Sequence, residues 1–127
     1  MLTGIHHIAI KVADFERAMK FYRALGLRFV RSWGDATKQA AMFDTGAGII
    51  ELFSGGPESA PEGLLVHLAL TTDDVDGDYQ RALAAGATAH KEPADYHIAV
   101  TAGEKMDVRI AFVLSPTGEV VEFIKHL

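Results

Sequence analysis

Two stretches decide the fold: GIHHIAIKVADFERAMKFYRALGLR, residues 4–28, and LLVHLALTTDDVDGDYQRALAAGAT, residues 64–88. Laid over one another without a gap, they put His7 on His67, Ala9 on Ala69, Asp14 on Asp74 and Gly26 on Gly86, a constant offset of 60 residues. IIELF (49–53) and VVEFI (120–124) form a second echo, with Glu51 over Glu122 at an offset of 71, so the second copy is longer by 11 residues. The residues that punctuate structure keep register, which marks a duplicated unit rather than two unrelated amphipathic segments.

The period of each copy gives its elements. Residues 5–13 alternate, with His7, Ala9 and Lys11 on one face and Ile8, Ile10 and Val12 on the other, which predicts a strand. Asp14 has the chemistry of an N-cap, and Phe15, Ala18, Met19, Tyr22 and Leu25 recur at helical spacing up to Gly26, placed to end the helix. Strands at about 27–33, 38–44 and 48–53 complete a β-α-β-β-β unit. The second copy predicts a strand over 64–72, a helix over 74–85 and strands near 87–92, 107–114 and 119–125, with SPTG (115–118) as a turn. The fold class is therefore α+β, two tandem βαβββ modules in one domain, 1–127: module 1 over 1–54, a Gly/Pro-rich linker GGPESAPEG over 55–63, and module 2 over 64–127. The extra length lies in PADYHIAVTAGEKM (93–106), which reads as a cover over a site, an extended hairpin through HIAV, or a surface loop.

Composition narrows the function. At 127 residues a real core is attainable, and 49% hydrophobic with 23% charged residues is a globular mixture. A net charge of −5 without a Lys/Arg cluster argues against nucleic acid as a partner. There is no cysteine, so a bound metal must be held by His, Asp, Glu or carbonyl oxygen. Lys11, Asp14, Glu16, Arg17 and Lys20 interrupt the first 20 residues, leaving no signal-peptide stretch. No apolar run nears the ~20 residues of a spanning helix, so the expectation is a cytoplasmic protein without membrane contact.

Glu51, in the middle of GIIELF (48–53), is the chemical clue. An ionised carboxylate in a buried strand costs several kcal/mol, roughly, unless a cation compensates. Each copy supplies one His on its first strand and one Glu on its last: His7, Glu51, His67 and Glu122. Brought together by approximate two-fold symmetry, two imidazoles and two carboxylates suit Zn, Ni, Co, Mn or Fe as divalent ions. Ala9 and Ala69 leave room beside the histidines. His6 falls on the helix side by parity, His90, His97 and His126 lack repeat partners, and Glu119 is expected to point outward. Arg31, Lys38 and Arg109 read as solvated edge residues, and Trp33, Phe43 and Phe53 as core aromatics or an apolar pocket wall.

HHIAIKVADFERAMKFYRALGL, IIELF, VHLAL and SPTGEVVEFI together resemble the vicinal oxygen chelate superfamily, over essentially the whole chain. That superfamily includes glyoxalase I, methylmalonyl-CoA epimerase, extradiol dioxygenases and fosfomycin-resistance thiol transferases. The resemblance implies a cup-shaped mixed sheet around a metal. His7, His67 and Glu122 match the three-ligand pattern of the dioxygenases and fosfomycin enzymes, and Glu51 adds the fourth ligand typical of glyoxalase I, where the epimerase usually has Gln. The implied reaction is proton transfer through an enediolate, with Glu122 as base and Glu51 as its alternative. The substrate would be an α-hydroxy carbonyl or the hemithioacetal of a 2-oxoaldehyde with glutathione or another thiol. Lys11 is the nearest counterpart of the residues that grip glutathione carboxylates, and Arg31, Lys38 and Arg109 are the other basic candidates on predicted strands. Ring-cleaving oxygenation, thiol transfer to an antibiotic and metal-free drug binding, as in bleomycin-resistance proteins, are the alternatives. Relatives imply a homodimer, with the site inside one chain or shared between two.

Overall fold

The computed structural model describes residues 1, 3–58, 63, 65–100 and 105–127. Its elements run β1 (His7–Lys11), α1 (Phe15–Ala24), β2 (Arg28–Gly34), β3 (Gln39–Asp44), β4 (Ile49–Phe53), β5 (Leu68–Thr71), α2 (Val75–Ala84), β6 (Thr88–Ala99), β7 (Lys105–Leu114) and β8 (Val120–His126). The order is βαβββ twice, and the strands form two four-stranded sheets, β1-β4-β3-β2 and β5-β8-β7-β6. In each sheet the first strand lies parallel to the last, and the intervening strands return as an antiparallel meander.

The repeated punctuation acts as its chemistry requires. Asp14 Oδ1 accepts from the Arg17 N–H at 3.0 Å, and Asp74 Oδ1 from the Gly77 N–H at 3.0 Å, so both aspartates cap a helix start. At the far ends the Leu27 N–H donates to the Tyr22 carbonyl and the Ala87 N–H to the Ala82 carbonyl. This 6→1 closure needs a left-handed residue, supplied by Gly26 (φ +92°) and Gly86 (φ +100°).

One face of each sheet packs on the helices, and the apolar residues of both modules join in a single core. Phe15, Ala18, Met19 and Tyr22 of α1 meet Ile10, Phe43, Ile50 and Leu52, while Val75, Tyr79 and Ala82 of α2 belong with Leu68, Ala111, Val113, Val121 and Phe123. Ile8 departs from the expected pattern: it shares the helix-facing row with Ile50 and Phe43 yet remains 38% exposed, near the start of its strand.

Glu119 corrects the sequence reading more sharply. Expected outward, it is 8% exposed and accepts from the Tyr22 hydroxyl at 2.7 Å and from Thr117 Oγ1 at 2.7 and 2.9 Å. Counting back from Glu122 assumed strand alternation, but β8 begins at Val120, and Glu119 still belongs to the turn. Its partner Tyr22 lies in the other module, so this hydrogen bond ties the two repeats together. Burial pushes the Tyr22 phenol well above its ordinary pKa, and the Glu119 charge adds to this, so the hydroxyl stays a donor.

The 93–106 segment takes one of the three forms its sequence suggested, the extended hairpin through HIAV. β6 continues to Ala99 and pairs with β7 through His97↔Asp107 and Ala99↔Lys105, an extended hairpin whose residues 101–104 lie outside the described ones. The strand expected to end near residue 92 runs on through Pro93, because β6 is a sheet edge, where proline is tolerated. Arg109 is not a solvated edge residue. Its guanidinium joins Asp76 of α2 at 2.6 and 2.8 Å and Asp95 of β6 at 2.9 Å, which holds Asp76 below the usual carboxylate range. His97 Nδ1 lies 2.7 Å from Asp107 Oδ1 across the hairpin. That hydrogen bond, and then the Asp107 charge, raise the His97 pKa above 6.5.

Tyr22→Phe should lower stability by about 1.5–3 kcal/mol, the range for a hydrogen bond to a charged group, read as a lower urea midpoint at unchanged slope. A midpoint equal to wild type would show that the inter-module bond contributes nothing. Because His97 is raised on folding, its contribution is present below pH 6.5 and is lost as pH climbs through the higher folded value. An NMR titration should place the His97 midpoint above 6.5, and Asp107→Asn should bring it down.

Candidate functional site

The registers place each candidate side chain. Residues paired directly across neighbouring strands project from the same face of a sheet. In the first sheet Ala9 pairs with Glu51 and Glu51 with Met42. The flanking rows, Ile8–Ile50–Phe43 and Ile10–Leu52–Ala41, belong to the helix-facing side. In the second sheet Ala69 pairs with Glu122 and Glu122 with Phe112, flanked by Leu68–Val121–Val113 and Leu70–Phe123–Ala111. Both glutamates therefore project from the face turned away from the helices, with an alanine beside each.

Glu51 and Glu122 are each 6% exposed. His7 Nε2 lies 3.8 Å from Glu51 Oε1, and His67 Nε2 lies 2.9 Å from Glu122 Oε2, with both histidine side chains 38% exposed. The four residues chosen from sequence thus occur as two equivalent His–Glu pairs, one per sheet. The structure does not unite the pairs within one chain: among the described residues no group of three or more His, Asp or Glu is placed to hold a metal ion. Each pair is half of a nitrogen–oxygen donor set. Among the described residues the Glu51 carboxylate accepts no hydrogen bond, so its oxygens keep their capacity for a cation. This donor chemistry fits a divalent metal, with two coordinating atoms from each pair.

His6 lies outside β1, so the strand parity expected to place it does not apply. It precedes β1, is exposed, and its Nδ1 lies 2.8 Å from that of His7, so one ring can donate to the other. That contact orients the His7 imidazole and leaves its Nε2 towards Glu51.

A cavity of about 660 Å³ adjoins His67. Lys11, His90, Lys91 and Phe112 line it together with Pro57 and Gly63 of the linker and Leu65 and Val66 at the start of module 2. The Phe112 ring is central: its centroid lies 5.6 Å from that of His67, 6.4 Å from that of His90 and 5.4 Å from Lys91 Nζ. The sequence reading missed Lys91 and took His90, for want of a repeat partner, as a surface residue or one beside the ligands. The signal was available, since Lys91 stands 60 residues after Arg31, as His67 does after His7. On the first sheet, Trp33 and Phe53 meet edge to face at 6.5 Å, whereas Phe43 is wholly buried core.

Solved structures share this architecture. A glyoxalase/bleomycin resistance protein/dioxygenase family enzyme from Burkholderia phytofirmans PsJN has a TM-score of 0.76 at 21% identity, over 98% of this chain and 100% of its own. The fosfomycin resistance protein FosX from Listeria monocytogenes, in complex with Mn(II) and sulfate, has a TM-score of 0.73 at 20% identity, over 98% and 93%. TioX from Micromonospora sp. ML1 has a TM-score of 0.71 at 25% identity, over 98% and 100%. No curated protein matches the chain. Among the described residues no helix is long and apolar enough to cross a membrane. The duplicated βαβββ order agrees with the family model that matches residues 4–123, and the chain belongs to the glyoxalase/bleomycin resistance protein/dioxygenase superfamily.

Proposed function

We propose that this protein is a metal-dependent lyase or isomerase of the glyoxalase I kind, with His7, Glu51, His67 and Glu122 as metal ligands. The observation that carries the reading is the pair of equivalent His–Glu couples, each with a buried carboxylate on the face turned from the helices. A homodimer completes the site: His7 and Glu51 of one protomer face His67 and Glu122 of the partner subunit, and a two-fold axis makes two such sites. Sharing between chains accounts for the separation of the couples within one chain.

A bound divalent ion supplies Lewis-acid stabilisation of negative charge on the substrate oxygens. The protein's own groups move the proton. Glu122 takes it from the carbon beside a carbonyl and returns it to the neighbouring carbon, and Glu51 is the alternative base. His67 Nε2 lies 2.9 Å from Glu122 Oε2, so the two ligand atoms stand side by side. The substrate class is a small α-hydroxy carbonyl, or the hemithioacetal of a 2-oxoaldehyde with glutathione or another thiol.

Elemental analysis of the purified protein should find about one divalent metal per chain. Glu51→Gln and His67→Ala should each weaken binding by at least the ~10–100-fold known for outer-shell changes. Unchanged occupancy in both variants would refute the ligand assignment.

Sharing between chains has its own test. A co-expressed heterodimer of His7→Ala/Glu51→Gln with His67→Ala/Glu122→Gln regains one intact site per dimer if the site crosses chains, and none if it is internal. Methylglyoxal with glutathione and other thiols should give an S-2-hydroxyacyl product. Turnover of a catechol with O₂ instead would replace lyase with oxygenase.

A further inference from the structure

The two buried glutamates are reached through unlike turns. β8 is entered from residues 115–119 and β4 from residues 45–48. Glu119 takes the place of Gly48, at the same offset of 71 that relates Glu122 to Glu51. In the second module that place carries a buried carboxylate, and in the first it carries no side chain.

Glu119 closes its turn at two points. Its carbonyl accepts from the Ser115 N–H at 2.9 Å, and its carboxylate accepts from Thr117 Oγ1. Ser115 adds two more bonds, its Oγ accepting from the Thr117 N–H at 3.1 Å and its carbonyl from the Gly118 N–H at 3.0 Å. The Tyr22 hydroxyl then fastens the closed turn to α1 of the other module. Ser115, Thr117, Glu119 and Tyr22 are all buried, so water does not compete for these bonds. The turn of the first module closes only on itself, with the Thr45 N–H and Oγ1 both donating to the Gly48 carbonyl. Its residues 45–47 are exposed, and among the described residues it makes no hydrogen bond to the second module.

The couples differ in the same sense. His67 and Glu122 stand 2.9 Å apart, His7 and Glu51 3.8 Å. Both glutamates lie on inner strands with one parallel and one antiparallel neighbour, so the ladders by themselves predict equal couples. The clamped turn is what the second module has and the first lacks. Glu119 directly precedes β8 and stands three residues before Glu122, and Thr117, Gly118 and Glu119 line the cavity beside His67.

We propose that Tyr22 and Glu119 are positioning residues of the site. By fixing the turn that leads into β8, their hydrogen bond holds Glu122 against His67, so one half of the donor set is preorganised while the other adapts. This deepens the function proposed above and rests on its choice of His67 and Glu122, but the positioning itself needs no bound metal.

Stability alone is the first competing account. It explains a buried hydrogen bond but not its place at the entry to the strand whose glutamate is held close. The second is the His6 contact, which engages the His7 ring. It bears on the first couple and predicts no effect of Tyr22 on the second.

Metal-free full-length protein gives the first readout, the ring resonances of His67 and His7 by NMR at one fixed pH. Tyr22→Phe and Glu119→Ala should each shift those of His67 and leave those of His7 in place. Glu119→Gln keeps an acceptor for the Tyr22 hydroxyl and should hold His67 at its wild-type position. Asp14→Ala removes the cap of α1 without touching the turn, so it lowers stability and should move neither ring. Calorimetry with Mn²⁺ gives the second readout. Tyr22→Phe should weaken binding about 10-fold or more, the effect of losing an outer-shell partner, and Glu119→Gln should keep it near wild type. If Glu119→Ala does not fold, Tyr22→Phe, which removes a single oxygen, decides by itself.

A shift confined to His67, with weaker Mn²⁺ binding, supports the proposal. Wild-type resonances and affinity overturn it and leave the metal reading standing. Equal shifts at His7 and His67 overturn it as a general loosening, and so does a His67 shift with wild-type Mn²⁺ affinity. A shift confined to His67 in protein that binds no Mn²⁺ supports the positioning while the metal reading fails.

Discussion

A carboxylate in an inner strand of a sheet is the constraint on which this structure turns. Glu51 lies in β4 and Glu122 in β8, each strand flanked on both sides, so neither backbone can give way to let its side chain out at an edge. Uncompensated, such a charge costs several kcal/mol, roughly. Everything beside it is arranged to make it tolerable. His67, just before β5, brings Nε2 within 2.9 Å of Glu122, and His7, the first residue of β1, brings its own within 3.8 Å of Glu51. An alanine opposite leaves volume in front of the carboxylate, and the apolar residues on either side turn to the helices.

That arrangement follows from using the two faces of each sheet differently. The helix-facing sides share one core, and the Tyr22–Glu119 hydrogen bond crosses between modules. A face committed to the core cannot also carry the site, so the chemistry gathers on the other two faces. Each of these holds one imidazole and one carboxylate, too few donors for a transition metal but half of a complete set. Joining the halves requires two such faces to meet, as in the two-fold dimer proposed above.

Periodicity made the duplicated parts legible. Asp14 and Asp74 cap helices and Gly26 and Gly86 end them because only those residue types do these tasks cheaply, and so the sequence positions carried the information. The His–Glu couples were legible for the same reason, since Glu51 breaks an apolar run and Glu122 repeats the break. What stayed hidden depends on contacts that no period encodes. Glu119 is buried because Tyr22, distant in the chain, meets it in space. Arg109 is tied down by Asp76 from a helix and Asp95 from the adjacent strand. The bulges at Arg31 and Lys91 were invisible because each changes the side-chain parity on which the reading relied.

The differences between the halves carry as much meaning as their likeness. His, Glu and Ala are the same at equivalent places, which suits one shared chemical task. Around them the rows diverge: Met42 stands where the second module has Phe112, Val30 where it has His90, and Arg31 where it has Lys91. The added residues lengthen β6 and β7 in the second module alone. A site made only of the common residues would be symmetric and would accept any small chelating oxygen pair. Trp33 meets Phe53 on the first sheet, whereas Phe112, His90 and Lys91 line the cavity beside His67 on the second, so the two halves differ around their common residues. Duplication thus repeated the His–Glu couple, and divergence of the flanking rows gave its two copies different surroundings.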